Sequence, residues 1–175
     1  MGNKKILLTG KPGIGKTTVI KKILKKLNGN AVGFYTEDYR DKKTNKRKGF
    51  KIITSDGKEG VLADVNLDSK YRVGKYGVSI KEFEKLVIPI LEEALNSKEK
   101  IVIIDEIGKM EFFSEKFKEL VNKIIENPEI KVIATISQKD FHPLIKKFKN
   151  LPYVKVIEVT KENRDVLPEE IISTV

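Results

Sequence analysis

Short apolar runs alternate with amphipathic stretches along the chain, and that alternation predicts the elements in order. Ile6-Leu7-Leu8, opened by Lys5 and closed by Thr9, reads as a buried strand that ends in a glycine-rich turn. Val19, Ile20, Ile23, Leu24 and Leu27 then recur at helical spacing until Asn28-Gly29-Asn30 stops the helix. A second strand is predicted over residues 31–36, followed by a very basic polar stretch, residues 40–48, expected as an exposed loop. Residues 49–54 and 60–63 flank Asp56-Gly57, a dipeptide suited to a tight hairpin turn. Residues 71–78, with Gly74 and Gly77, read as a loop into a helix whose Phe83, Leu86, Val87, Ile90, Leu91 and Leu95 share one face, with Pro89 as a site for a kink. A fully apolar strand (101–104), a helix (114–126) capped by Ser114 and a strand (130–136) follow. A short Lys-rich helix near 143–149, a strand (154–159) and a terminal helical segment complete the chain.

Strands alternating with helices, several of them continuous apolar runs, indicate an α/β fold: a mostly parallel sheet covered on both faces, three layers in all, with a basic loop and β-hairpin inserted over about residues 40–65. At 175 residues and 39% hydrophobic, one domain spanning 1–175 can bury a continuous core. The absence of Cys excludes disulfides, thiolate metal sites and thiol nucleophiles. The single histidine, His142 beside Pro143, reads as a helix-start residue and not as a zinc ligand. No cleavable signal fits the N-terminus, Ile6 stands where a myristoylation signal needs Ser or Thr, and no apolar run approaches spanning length, so a cytoplasmic protein without membrane contact is expected, as a monomer.

Charge narrows the picture less. With 35 Lys and Arg against 25 Asp and Glu, the net charge of +10 would attract nucleotides, RNA or acidic lipid. The same 34% of charged residues, with no Cys and a single Gln138, also describes the solvated surface of a protein from a hot habitat.

The chemistry is carried by Gly10-Lys11-Pro12-Gly13-Ile14-Gly15-Lys16-Thr17, which fills every fixed position of the Walker A pattern and sits between a predicted strand and a predicted helix. Its glycines let successive N–H groups turn inward, and the helix start adds its positive dipole end to the same anion site. Lys16 is expected to reach the β- and γ-phosphates and Thr17 to place its hydroxyl on Mg²⁺, with Thr18 beside the α-phosphate.

A second site follows from Ile101-Val102-Ile103-Ile104-Asp105-Glu106, four apolar residues and then two acids at the C-terminal end of a buried strand, where open α/β sheets bind ligands. Read as Walker B, Val102, Ile103, Ile104, Asp105, Glu106, Ile107 and Gly108 join the nucleotide-binding surface. Asp105 would hold Mg²⁺ through a water, since that ion keeps part of its hydration shell. Glu106 would orient and deprotonate the attacking water.

With both motifs present, the chain resembles the small nucleoside-triphosphatase family known from thermophiles and called cancer-related nucleoside-triphosphatase in animals. The resemblance runs nearly end to end. It rests further on Thr36-Glu37 with Arg40 and a basic turn into Gly49-Phe50, on Arg72-Val73-Gly74-Lys75-Tyr76-Gly77-Val78, on Asp105-Glu106-Ile107-Gly108-Lys109-Met110-Glu111, and on Glu162-Asn163-Arg164-Asp165. It implies a P-loop core, RecA-like or nucleotide-kinase-like, that slowly hydrolyses ATP, GTP and other nucleoside triphosphates to diphosphate and phosphate with loose base choice. It also implies Lys109 near the phosphates and Asn163 and Arg164 near the base, although Thr160 could equally cap a surface helix on which Arg164 pairs with Glu. The segment between Arg40 and Gly49 is richer in Lys than the family's short turn, which puts a phosphate role for Arg47 in doubt. Arg40 and Arg72 are the candidates for stabilising transition-state charge.

Two rivals stay open. A nucleotide or nucleoside kinase would need an acceptor site, and residues 40–48 offer no obvious one. An RNA-linked switch would use Lys21, Lys22, Lys25, Lys26, the 42–48 loop and Lys146, Lys147 and Lys149, but these lack interleaved stacking aromatics.

Overall fold

The apolar strands bury both of their faces. In β1 (Lys5–Thr9), Leu7 packs to one side of the sheet while Ile6 and Leu8 pack to the other. In β7 (Ile101–Ile107), Val102 and Ile104 face the first core while Ile101 and Ile103 face the second. Strand geometry sends successive side chains to opposite faces, so a continuous apolar run demands cover on both. That cover is the two helical layers.

The structure, a computed structural model, describes residues 5–175; residues 1–4, on which the expectation of no signal partly rests, lie outside them. On one face lie α1 (Lys16–Leu27) and α5 (Leu167–Thr174), which contribute Val19, Ile20, Ile23, Leu167 and Ile171. On the other lie α2 (Ile80–Leu95) and α3 (Glu115–Glu126), with the short α4 (Pro143–Lys149) beside them. Phe83 of α2 and Phe117 of α3 meet edge to face at 5.2 Å between centroids, and both meet Phe34 from the sheet, at 5.8 and 6.1 Å.

The helix starts are capped as their sequences ask. Ser79 accepts from the Glu82 N–H in an S-x-x-E arrangement, and Ser114 accepts from the Phe117 N–H. His142 Nδ1 accepts from the Leu144 N–H at the start of α4, which bears out its reading as a helix-start residue. α2 runs unbroken through Pro89.

Among the described residues nine strands form one sheet. They comprise β1, β2 (Ala31–Arg40), β3 (Arg47–Thr54), β4 (Glu59–Asp64), β5 (Arg72–Val73), β6 (Tyr76–Val78), β7, β8 (Lys131–Ile136) and β9 (Val154–Glu158), in the spatial order β5-β6-β4-β3-β2-β7-β8-β1-β9. β2, β7, β8, β1 and β9 are mutually parallel, and β3, β4, β6 and β5 extend the sheet antiparallel from the β2 edge.

Three expectations change. The Asp56-Gly57 hairpin exists, but it is not an appendage: β3 pairs with β2 and so continues the main sheet. The basic stretch is strand at both ends, because β2 runs on to Arg40 and β3 opens at Arg47, which leaves a turn at 41–46. Residues 71–78 form the small β5–β6 hairpin and not a loop.

Gly33 is where β2 closes on β7. Its φ is +146°, and a Cβ there would lie 1.9 Å from the Ile103 carbonyl oxygen. Both the backbone angle and the close approach require glycine. Gly33→Ala is expected to cost about 3 kcal/mol or more of stability, read as a lowered denaturant midpoint. An unchanged midpoint would mean that the β2–β7 register can shift to make room.

Candidate active site

β1, β7 and β8 run parallel, so the loops that follow them emerge at one edge of the sheet, and the expected chemistry gathers there. The glycine-rich loop leaves β1 with φ of 148° at Gly10, 79° at Gly13 and 114° at Gly15, values that only glycine adopts cheaply. The Ile14 N–H donates to the Lys11 carbonyl at 3.1 Å, which closes the turn and delivers Lys16 as the first residue of α1. Lys11, Pro12, Gly13 and Thr18 are exposed, while Gly15, Lys16 and Thr17 are half-buried. The Lys16 ammonium donates to the Gly10 carbonyl at 2.8 Å and so lies across the mouth of its own loop.

Asp105 faces this loop from the end of β7. It is buried, and its two oxygens are held from opposite sides: Thr17 Oγ1 donates to one at 2.9 Å and Thr135 Oγ1 of β8 to the other at 2.6 Å. Burial raises the Asp105 pKa, while the two hydroxyls, the Thr36 N–H and the Lys16 charge act against that rise. The Asp105–Glu106 peptide is cis. Glu106 keeps part of its surface open, yet it sits deep enough for burial first, and the neighbouring Asp105 charge second, to raise its pKa.

Beyond Glu106 the chain turns at Gly108. A Cβ on Gly108 would come within 3.0 Å of Glu111 Oε1 and 3.2 Å of Glu106 Oε1, so the two carboxylates flank this glycine and leave no space for a side chain. Glu111 is buried, and its pKa is raised well above the carboxylate range by burial and then by the Glu106 charge. Val102, Ile103, Ile104 and Ile107 are buried in the sheet and fix this edge without exposing a polar group.

The remaining candidates disperse. Arg164 does reach the loop: its guanidinium donates to the Ile14 carbonyl at 3.0 Å. The segment that carries it is a turn and not a helix, although Thr160 Oγ1 caps it as expected by accepting from the Asn163 N–H at 3.2 Å, and no acid pairs with Arg164 among the described residues. Asn163 ties that turn, accepting from the Thr160 N–H at 2.7 Å and donating to the Glu158 carbonyl at 2.8 Å. Arg40 donates to the Asn45 carbonyl at 2.9 Å, at the tip of the β2–β3 ribbon, four residues beyond Thr36 or about 13 Å of extended strand. Arg72 donates to the carbonyls of Leu67 and Lys75, and it lines a cleft with Lys109. The structure thus brings together the glycine-rich loop, Asp105, Glu106 and Arg164, and it leaves Arg40 at the ribbon tip.

Thr135 of this centre escaped the sequence reading, and Glu111 entered it only as the last residue of the stretch from Asp105 that carries the resemblance, with no role of its own. Thr135 was visible only as the one hydroxyl in the otherwise apolar run Val132-Ile133-Ala134-Thr135-Ile136. Glu111 was visible as a lone acid between Met110 and Phe112-Phe113.

For a divalent cation the chemistry of the donor set decides the fit. Thr17 Oγ1 and an Asp105 oxygen lie 2.9 Å apart, all-oxygen and with one negative charge, which suits Mg²⁺ completed by phosphate and water oxygens. No group of three or more His, Cys, Asp or Glu side chains able to cage a metal occurs among the described residues.

Comparison with known proteins gives the arrangement a family. The chain is 51% identical over 173 residues to the nucleoside-triphosphatase THEP1 of Aquifex aeolicus, covering 97% of each chain. It is 38% identical to the human cancer-related nucleoside-triphosphatase, covering 97% of this chain and 95% of that one. The crystal structure of THEP1 from Aquifex aeolicus superposes with a TM-score of 0.89 at 49% identity, again over 97% of each chain. The family described as NTPase matches residues 5–172, and with these full-length likenesses the chain belongs to that NTPase family.

Proposed function

We propose that the chain hydrolyses nucleoside triphosphates to the diphosphate and phosphate with the help of Mg²⁺, using the loop 10–17 as its phosphate grip and Glu106 as the base. The observation that carries this reading is the 2.9 Å contact between Thr17 and Asp105, with Glu106 as the next residue along the strand. It joins the helix start that follows the loop to the strand end that bears the acids.

The backbone N–H groups of the loop and the dipole of α1 bind the phosphates, and the Lys16 ammonium exchanges the Gly10 carbonyl for a phosphate oxygen. Thr17 and Asp105 are the residues that hold the ion. Bound there, Mg²⁺ supplies neutralisation of charge on the β- and γ-phosphates. Glu106 takes the proton of the attacking water in its ionised form. Arg164, seated on the Ile14 carbonyl, braces the loop from outside. These contacts address phosphates and not a base, which supports loose base choice, GTP included. The charged, Cys-free composition supports a protein of a hot habitat, and the absence of any helix long and apolar enough to cross a membrane among the described residues supports work in the cytoplasm.

The experiment is phosphate release from a panel of nucleoside triphosphates by wild type, Lys16→Ala and Glu106→Gln. Glu106→Gln is expected to keep nucleotide affinity and lose about 10²- to 10⁴-fold in turnover. Near-normal turnover would move the base elsewhere. A second measurement is the pH profile of kcat/KM. Because the Glu106 pKa is raised and the ionised form is the base, activity is expected to fall as pH drops through a value above the ordinary glutamate range, and this limb disappears in Glu106→Gln.

A further inference from the structure

Beside the proposed centre, and outside the phosphate loop, the β5–β6 hairpin, the turn after β7 and the connection after β8 enclose a cleft of about 380 Å³. Three segments far apart in sequence build it. Phe112, Phe113, Phe141 and His142 supply aromatic walls, and Arg72 and Lys109 supply cations. The aromatic residues hold one another in place, with Phe112 meeting Phe141 at 5.5 Å and His142 at 5.1 Å, both edge to face. Phe113, Phe141 and His142 are only half-buried.

The charge of the cleft is uncompensated. Neither Arg72 nor Lys109 forms an ion pair with an acid among the described residues, and Lys109 is exposed. Arg72 is fixed by two backbone carbonyls, which orient a guanidinium without neutralising it. The nearby Asp140 is paired with Lys149 at 2.8 Å and so does not answer these cations. His142 spends Nδ1 on the Leu144 N–H, which leaves Nε2–H as a donor in the neutral ring.

We propose that this cleft is a second ligand site, for a small phosphate monoester that carries an aromatic base, of the nucleoside-monophosphate class. Aromatic walls select a planar ring, which stacks regardless of its exact identity. A fixed guanidinium with a lysine selects a phosphate. The volume is near the lower end for small-molecule sites, so it suits one ring with one phosphate and not a triphosphate. The site lies on the turn that starts one residue after the Glu106–Ile107 pair, so its occupant is a neighbour of the reaction and not part of the phosphate grip.

His142 gives the test a unique reporter, because the chain has one histidine and it lines the cleft. With the phosphate loop saturated by a non-hydrolysable Mg²⁺–triphosphate analogue, adenosine monophosphate is titrated while the His142 ring resonances and the Gly15 and Lys16 amides are followed by NMR. The expected result is a saturable shift of His142 with the loop amides unmoved. Adenosine and inorganic phosphate are each expected to bind at least tenfold more weakly. Lys109→Gln, an exposed substitution that leaves the fold intact, is expected to raise the midpoint at least tenfold, and Phe141→Ala is expected to do the same while triphosphate hydrolysis persists. A motionless His142, shifts confined to the loop amides, or phosphate binding as tightly as the monophosphate would each overturn the proposal. Hydrolysis by wild type is assayed separately, so failure here leaves the reading of the phosphate loop untouched.

Discussion

A carboxylate without water must be held by donors, and Asp105 is the group around which the sheet is arranged to meet that demand. Its oxygens take a hydroxyl from α1, a hydroxyl from β8 and a backbone N–H from β2. An ionised side chain buried without such partners would cost several kcal/mol or take up a proton. Three neighbouring elements must therefore come into register at one point. The register that satisfies Asp105 is also the one that sets Thr17 beside it at the start of the helix behind the phosphate loop.

The two halves of the sheet divide the labour. In the parallel half, β8 lies between the strand that launches the loop and the strand that carries the acids, which is why a residue of β8 can hold Asp105 from behind. The antiparallel half adds no acid to the centre. It builds the ribbon that overhangs the edge and the small hairpin that walls the cleft. Chemistry and its surroundings are thus contributed by different strand directions on one continuous core.

Features written in consecutive residues were legible before the fold was known. The loop from Gly10 to Thr17, the acids after Ile104, the Asp56-Gly57 turn and the Ser114 cap all announce themselves within eight residues, because each is a local hydrogen-bonding or conformational device. The extension of β2 to Arg40 was hidden because a ribbon with polar residues on both faces shows no alternation for a period to reveal. Two-residue strands such as β5 are too short to have a period at all. Thr135 and Gly33 matter through partners 30 or more residues away, and sequence spacing carries no trace of either; Glu111 has its partners Glu106 and Gly108 close by in sequence, but its burial against them is set by the fold and not by the spacing. Arg164 was named through the resemblance alone, since its partner Ile14 lies 150 residues earlier.

The β2–β3 ribbon has a mechanical consequence. Thr36 gives its N–H to Asp105, and the next residue, Glu37, pairs with Lys21 of α1 at 2.9 Å and with Lys51 of β3 at 3.4 Å. Those two positions form a fulcrum. On one side a short arm ends at the carboxylate beside Thr17; on the other a long arm carries the lysines of the tip into solvent. The tip of the ribbon and the Asp105 carboxylate are thus tied to α1 and β3 through two adjacent residues, Thr36 and Glu37.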